Sequence, residues 1–142
     1  MVSVEQRLGY DIKATEVAFM SAKSAALRPI GLTVAQYATL LALRDNPGIT
    51  GAGVARTCLV TPQAAAATLK TLEAKRLISR VQNDWSRSSR IAQLTEAGRD
   101  VVARADAAAG EIEQRMYDEL TEVERNQLRG LLARCRASIG RE

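Results

Sequence analysis

Apolar positions in residues 4–27 recur at helical spacing through Val4, Leu8, Ile12, Phe19, Ala22 and Ala26, and no proline interrupts them before Pro29. This pattern predicts a long first helix. Thr33 followed by Gln36 forms a capping-box sequence, and Val34, Tyr37, Leu40, Leu41 and Leu43 carry a second helix to the Asp45-Asn46-Pro47-Gly48 stop. Thr50 caps a short third helix through Val54, Ala55 and Cys58; the glycines at 51 and 53 are too close together for a nucleotide-binding loop and read as structural. Thr61-Pro62-Gln63 supplies a capping hydroxyl and a proline at the first helical position, opening a fourth helix that runs to about Lys75.

On this fourth helix Ala65, Leu69 and Leu72 share one face, whereas Gln63, Ala67, Lys70, Thr71 and Ala74 lie opposite or on the flanks. Two short helices around a tight turn, the second with an apolar inner stripe and short polar outer side chains, match a helix-turn-helix whose second helix enters a major groove. The pattern then changes. β-Branched residues in 78–82 and 90–94 flank the turn-like Asn83-Asp84-Trp85-Ser86-Arg87-Ser88-Ser89, which predicts a hairpin with a polar tip. Thr95-Glu96 opens a helix reaching about Glu119, and Thr121 with Glu124 opens the last, carried by Val123, Leu128, Leu131, Leu132 and Ile139. The expected architecture is mainly α, six helices with a small β-hairpin wing between the fourth and fifth.

Length and composition narrow the function. At 142 residues and 46% hydrophobic, the chain fits one globular domain. It carries neither a signal-peptide pattern nor an apolar run of the ~20 residues that span a membrane, so a cytoplasmic protein without a membrane partner is expected. Two cysteines, Cys58 and Cys135, are too few for a disulfide framework or a cysteine-rich zinc site. The chain has no histidine, which removes the commonest general base and metal ligand together. No enzyme, metal or cofactor is expected. The net charge of +4 is concentrated in residues 51–100, where eight bases face four acids, while the flanking segments are near neutral. A phosphate-binding surface in the middle of the chain accounts for this distribution.

Four stretches make the chain resemble the MarR family of regulators. They are Leu32-Thr33-Val34-Ala35-Gln36-Tyr37, Val60-Thr61-Pro62-Gln63, Leu72-Glu73-Ala74-Lys75-Arg76-Leu77-Ile78-Ser79-Arg80 and Leu94-Thr95-Glu96-Ala97-Gly98-Arg99. The resemblance covers nearly the whole length and implies one winged helix-turn-helix domain over residues 1–142. In it, residues 32–99 form the DNA-binding lobe, and residues 1–31 and 100–142 form the helices that join a homodimer. Double-stranded DNA is the implied partner, with Thr61, Pro62, Gln63, Ala64, Ala67, Lys70 and Thr71 facing the major groove and Arg87 and Arg90 at the wing. Gln63 is able to pair bidentately with adenine, and Ala64 and Ala67 to meet thymine methyl groups.

Where many relatives carry a base-reading arginine this chain has Ala67, and Ser86 and Ser88 replace a common wing aspartate and arginine. Phosphate contacts and DNA shape are therefore expected to outweigh base-edge contacts, with a preference for A·T-rich sites. The resemblance further implies a repressor on a palindromic operator, its two recognition helices ~34 Å apart, released by a small aromatic effector. Phe19, Met20, Tyr37 and Trp85 are the candidate effector residues. The alternative is a helical homodimer that binds a protein instead of DNA, in keeping with its alanine-rich recognition helix.

Overall fold

The computed structural model describes residues 1–83 and 86–140, with side chains described outside residues 82–90. Six α-helices and one hairpin follow in the expected order: α1 Leu8–Leu27, α2 Val34–Asp45, α3 Gly51–Cys58, α4 Pro62–Ala74, β1 Ile78–Asn83, β2 Ser86–Leu94, α5 Glu96–Glu119 and α6 Glu122–Ile139. By contacts the chain divides into two compact units, Met1–Ala109 and Gly110–Glu142. No single helix among the described residues is long and apolar enough to cross a membrane.

In the first unit one core collects the inward stripes of its helices and the base of the hairpin. Leu27, Leu40, Val54, Leu72 and Val102 are fully buried there, with Leu32, Leu43, Ala65, Leu69, Ile78 and Ala92 around them. The caps set where its helices begin. Thr33 Oγ1 accepts from the Gln36 amide at 3.1 Å while Gln36 Oε1 accepts from the Thr33 amide at 3.1 Å, completing the capping box. Thr50 and Thr61 accept from the amides of Gly53 and Ala64, leaving Pro62 at a position where no amide hydrogen is needed.

Three differences from the sequence reading have local causes. The first helix does not run unbroken from Val4: a 3-10 turn over Val4–Gln6, boxed by Ser3 and Gln6, is separated from α1 by Arg7 in extended conformation. A short 3-10 turn, Arg28–Ile30, follows α1 around Pro29. The strands extend further than their β-branched residues suggest, because β1 runs antiparallel to β2 from Ile78↔Leu94 to Gln82↔Arg90, and a register shift then brings Asn83 opposite Ser86. Polar hairpin residues read as turn because they carry none of the β-branched or aromatic signal by which a strand is recognised.

The passage from hairpin to α5 is a close backbone approach. The Thr95 amide donates to the Leu77 carbonyl at 3.0 Å, Thr95 Oγ1 donates to the Arg76 carbonyl at 2.8 Å and accepts from the Gly98 amide at 3.1 Å. A Cβ on Gly98 would lie 2.0 Å from the Leu77 oxygen, so only glycine lets the first turn of α5 rest on that carbonyl.

The second unit has its own local order. Thr121 and Glu124 complete the predicted box at the start of α6, and these bonds hold the exposed Glu124 carboxyl below its ordinary range. Arg125 lies over the Tyr117 ring at 3.5 Å and donates to the carbonyl of Leu120 at 2.8 Å. Replacing Gly98 with alanine is expected to lower the stability of the chain by about 2–3 kcal/mol, the penalty of forcing a backbone contact apart. Thermal and denaturant unfolding measure it, and an unchanged midpoint would show that the contact relaxes freely.

Candidate nucleic-acid interface

Helix α4 presents two chemically distinct sides. Its inward stripe, Ala65, Leu69 and Leu72, is buried to 3% exposure or less, whereas Thr61, Pro62, Gln63, Ala64, Ala67, Lys70 and Thr71 are all exposed. The sequence-predicted recognition residues thus share one open surface that begins at the helix N-terminus, where free amides and the helix dipole favour a phosphate. Hydroxyl chemistry along it is partly committed: Thr71 Oγ1 donates to the Ala67 carbonyl at 3.1 Å, and Thr61 Oγ1 accepts from the Ala64 amide at 3.1 Å. Arg87 and Arg90 lie on β2, with side chains outside those described, and Trp85 lies outside the described residues.

The turn before α4 is shaped by a leucine in an unusual conformation. Leu59 has φ 57°, in the left-handed region, and its amide donates to the α3 carbonyls to close that helix. Its side chain is 92% exposed.

Not every base in the central segment is free to meet a phosphate. Arg80 Nε pairs with Glu73 at 3.0 Å, Arg99 Nη1 donates to the Leu94 carbonyl at 3.1 Å, and Lys75 is bound to two oxygens at the α1–α2 corner. Among the described residues Arg56, Lys70 and Arg76 make no ion pair or side-chain hydrogen bond, so the usable cations cluster around α3, α4 and the start of the wing.

A second cluster joins α1, α2 and α5. The Tyr37 hydroxyl donates to Asp106 Oδ1 at 2.7 Å, and Arg44 Nη1 donates to Oδ2 at 2.9 Å while its Nε meets Asp45 at 2.8 Å. The Tyr37 hydrogen bond, then Arg44, holds the Asp106 carboxyl below the usual aspartate range; Asp45 and Asp106 in turn push Arg44 up. Lys23 lies 4.7 Å from the Phe19 ring centre and 5.4 Å from that of Tyr37, a cation over two aromatic faces. Of the candidate effector residues, Phe19 is half-buried, Met20 is 39% exposed and Tyr37 is 4% exposed within the core.

Lys23, Arg44 and Asp106 are absent from the sequence-based candidates. For Asp106 a signal existed, since it stands four residues after Val102 and three before Ala109, on the stripe that those buried residues mark. Cys58 is half-buried, and burial pushes its thiol up, partly offset by a hydrogen bond with Thr39. Burial thus works against the thiolate form.

Two helices around a tight turn, followed by an antiparallel hairpin, define a winged helix-turn-helix. The profile of the MarR family matches residues 30–84. Over 125 residues, 88% of this chain and 90% of the relative, the sequence is 33% identical to the HTH-type transcriptional repressor Rv2887 of Mycobacterium tuberculosis. The chain belongs to the MarR family. Among solved structures it is similar to the Mycobacterium tuberculosis MarR family protein Rv2887 in complex with salicylic acid, with a TM-score of 0.70 and 30% identity over 94% of this chain and 99% of the other. It is also similar to the transcriptional repressor CouR bound to a 23-mer DNA duplex, with a TM-score of 0.74 and 31% identity over 99% of both chains.

The Asp106 pairing fixes the sign of one pH effect. A carboxyl depressed by folding contributes stability above its unfolded value of about 3.9, and that contribution is lost as pH falls through the lower folded value. In denaturant unfolding between neutral pH and about pH 2, the wild type is expected to lose stability more steeply than Asp106→Asn. Parallel curves would show that the pairing contributes nothing.

Proposed function

We propose that the chain is a ligand-responsive transcriptional repressor that binds a palindromic operator as a homodimer, without catalysis. The observation carrying this reading is the exposed side of α4, whose apolar counterpart is wholly buried and whose Lys70 has no partner among the described residues. The 31% identity over 99% of the chain with a repressor bound to duplex DNA supports the same use of that surface. Gln63 reads a base edge, Ala64 and Ala67 meet thymine methyls, Thr61, Thr71 and Lys70 hold phosphates or the groove wall, and Arg87 and Arg90 anchor the wing.

The dimer forms through α1, α5 and α6. In α1 only Leu27 is buried, and Leu8, Ile12 and Val17 lie open on it; on α6 Val123, Leu128, Leu131 and Ile139 are exposed. Apolar stripes of this length need a covering surface. The effector is a small aromatic acid, in keeping with the salicylic acid complex of a relative; Lys23 between Phe19 and Tyr37 offers a charge for its carboxylate beside two rings for its body.

On a duplex selected from a randomised pool, binding is expected to weaken steeply with salt, and a Lys70→Ala, Arg87→Ala double variant to lose roughly two charges' worth of that slope. Fluorescence anisotropy reads both, and salt-insensitive or absent binding by an intact dimer would move the weight to a protein partner. Salicylate is expected to raise the apparent Kd; equal affinity at saturating salicylate would sink the proposed effector class. A chain truncated before Thr121 is expected to run as a monomer or aggregate in analytical ultracentrifugation, and a well-behaved truncated dimer would count against the proposed interface.

A further inference from the structure

Lys75 is counted among the central bases, yet its ammonium is bound within the fold. It terminates α4, and Nζ donates to the Gly31 carbonyl at 2.9 Å and to Gln36 Oε1 at 3.1 Å. Both acceptors are held in place. Gly31 has φ 80° and closes the 3-10 turn after α1, and Gln36 is 8% exposed, its Oε1 also accepting from the Thr33 amide. With two of its three protons on neutral oxygens of the α1–α2 corner, the lysine ties the end of the recognition helix to that corner.

The two residues after Lys75 are fixed as well. Arg76 sits at φ 59°, and the carbonyls of Arg76 and Leu77 receive Thr95. Three consecutive residues therefore anchor the end of α4, Lys75 to the α1–α2 corner and Arg76 and Leu77 both to Thr95, and Lys75 is the only one of them to do so through a side-chain charge.

We infer that Lys75 is a positioning residue for DNA binding: it sets the angle at which α4 meets the groove and contacts no phosphate itself. This rests on the DNA-binding reading above but is separable from it by salt dependence. A phosphate-contacting lysine, when removed, lowers the slope of log affinity against log salt by about 1. A positioning lysine lowers affinity at every salt concentration and leaves the slope alone.

The test compares wild type, Lys75→Met, Lys75→Arg, Gln36→Leu and the Lys75→Met, Gln36→Leu double variant on the selected duplex, well below each protein's unfolding midpoint. Lys75→Met is expected to weaken binding roughly tenfold, the scale of one lost charge-assisted hydrogen bond, with an unchanged salt slope and recovery in Lys75→Arg. The double variant is expected to bind no more weakly than the worse single variant, because both substitutions break one tie. A slope reduced by about 1 in Lys75→Met would make the residue a phosphate contact and overturn the inference. So would wild-type affinity in a variant whose unfolding midpoint alone has dropped, which would leave the tie merely structural. Failure of the wild type to bind any duplex would fall on the DNA-binding reading instead.

Discussion

The carbonyl of Leu77 is the point on which the first unit turns. It accepts the Thr95 amide and receives the bare Cα of Gly98, so β1, the return from β2 and the first turn of α5 are joined within one residue of each other. The recognition helix ends three residues earlier, and its last turn reaches the same place through the Leu77 amide on the Leu72 carbonyl. A backbone contact without side chains is stiff: it has no rotamers to adjust, so a shift of α5 is passed to the wing and to α4 rather than absorbed. The Leu72 and Val102 side chains, both fully buried, belong to the core against which Leu77 packs.

Around that point the charges divide by use. Arg80, Arg99, Arg44 and Lys75 are committed to acceptors within the fold, while Lys70, Arg56 and Arg76 stay open among the described residues. A count of basic residues therefore overstates the side chains free to contact a polyanion, and the geometry says which of them to subtract. The Arg44–Asp106 pair is part-exposed, with side chains 38% and 42% accessible, and water weakens its contribution. Its value lies more in direction, since Tyr37 and Arg44 together leave the Asp106 carboxylate one orientation.

Much of this arrangement was legible in the sequence because its signals are local. Thr33 with Gln36 and Thr121 with Glu124 bond as their spacing predicts, Pro62 occupies the first position of α4, and Ala65, Leu69 and Leu72 turn inward as their periodicity requires. The exposed side of α4 follows by complement. What stayed hidden depends on partners far apart in the chain: Tyr37 and Asp106 are separated by 69 residues, and Lys75 and Gly31 by 44. No periodicity encodes such a pair. The break at Arg7 was missed for a different reason, because the Ser3–Gln6 box competes with a continuous helix over only a few residues.

The bareness of α1 has a consequence for how the protein behaves in a cell. A 20-residue helix with a single buried residue gains little from its own protomer, and helices in water owe most of their stability to packing. In the proposed homodimer its order comes from a second chain, so the folded population rises with the amount of protein present. Freshly made chains at low copy number would be the most exposed to proteases, and two chain variants made together would mix into hybrid pairs. A variant crippled on α4 but intact on α1 and α6 would then draw functional chains into defective pairs and silence them.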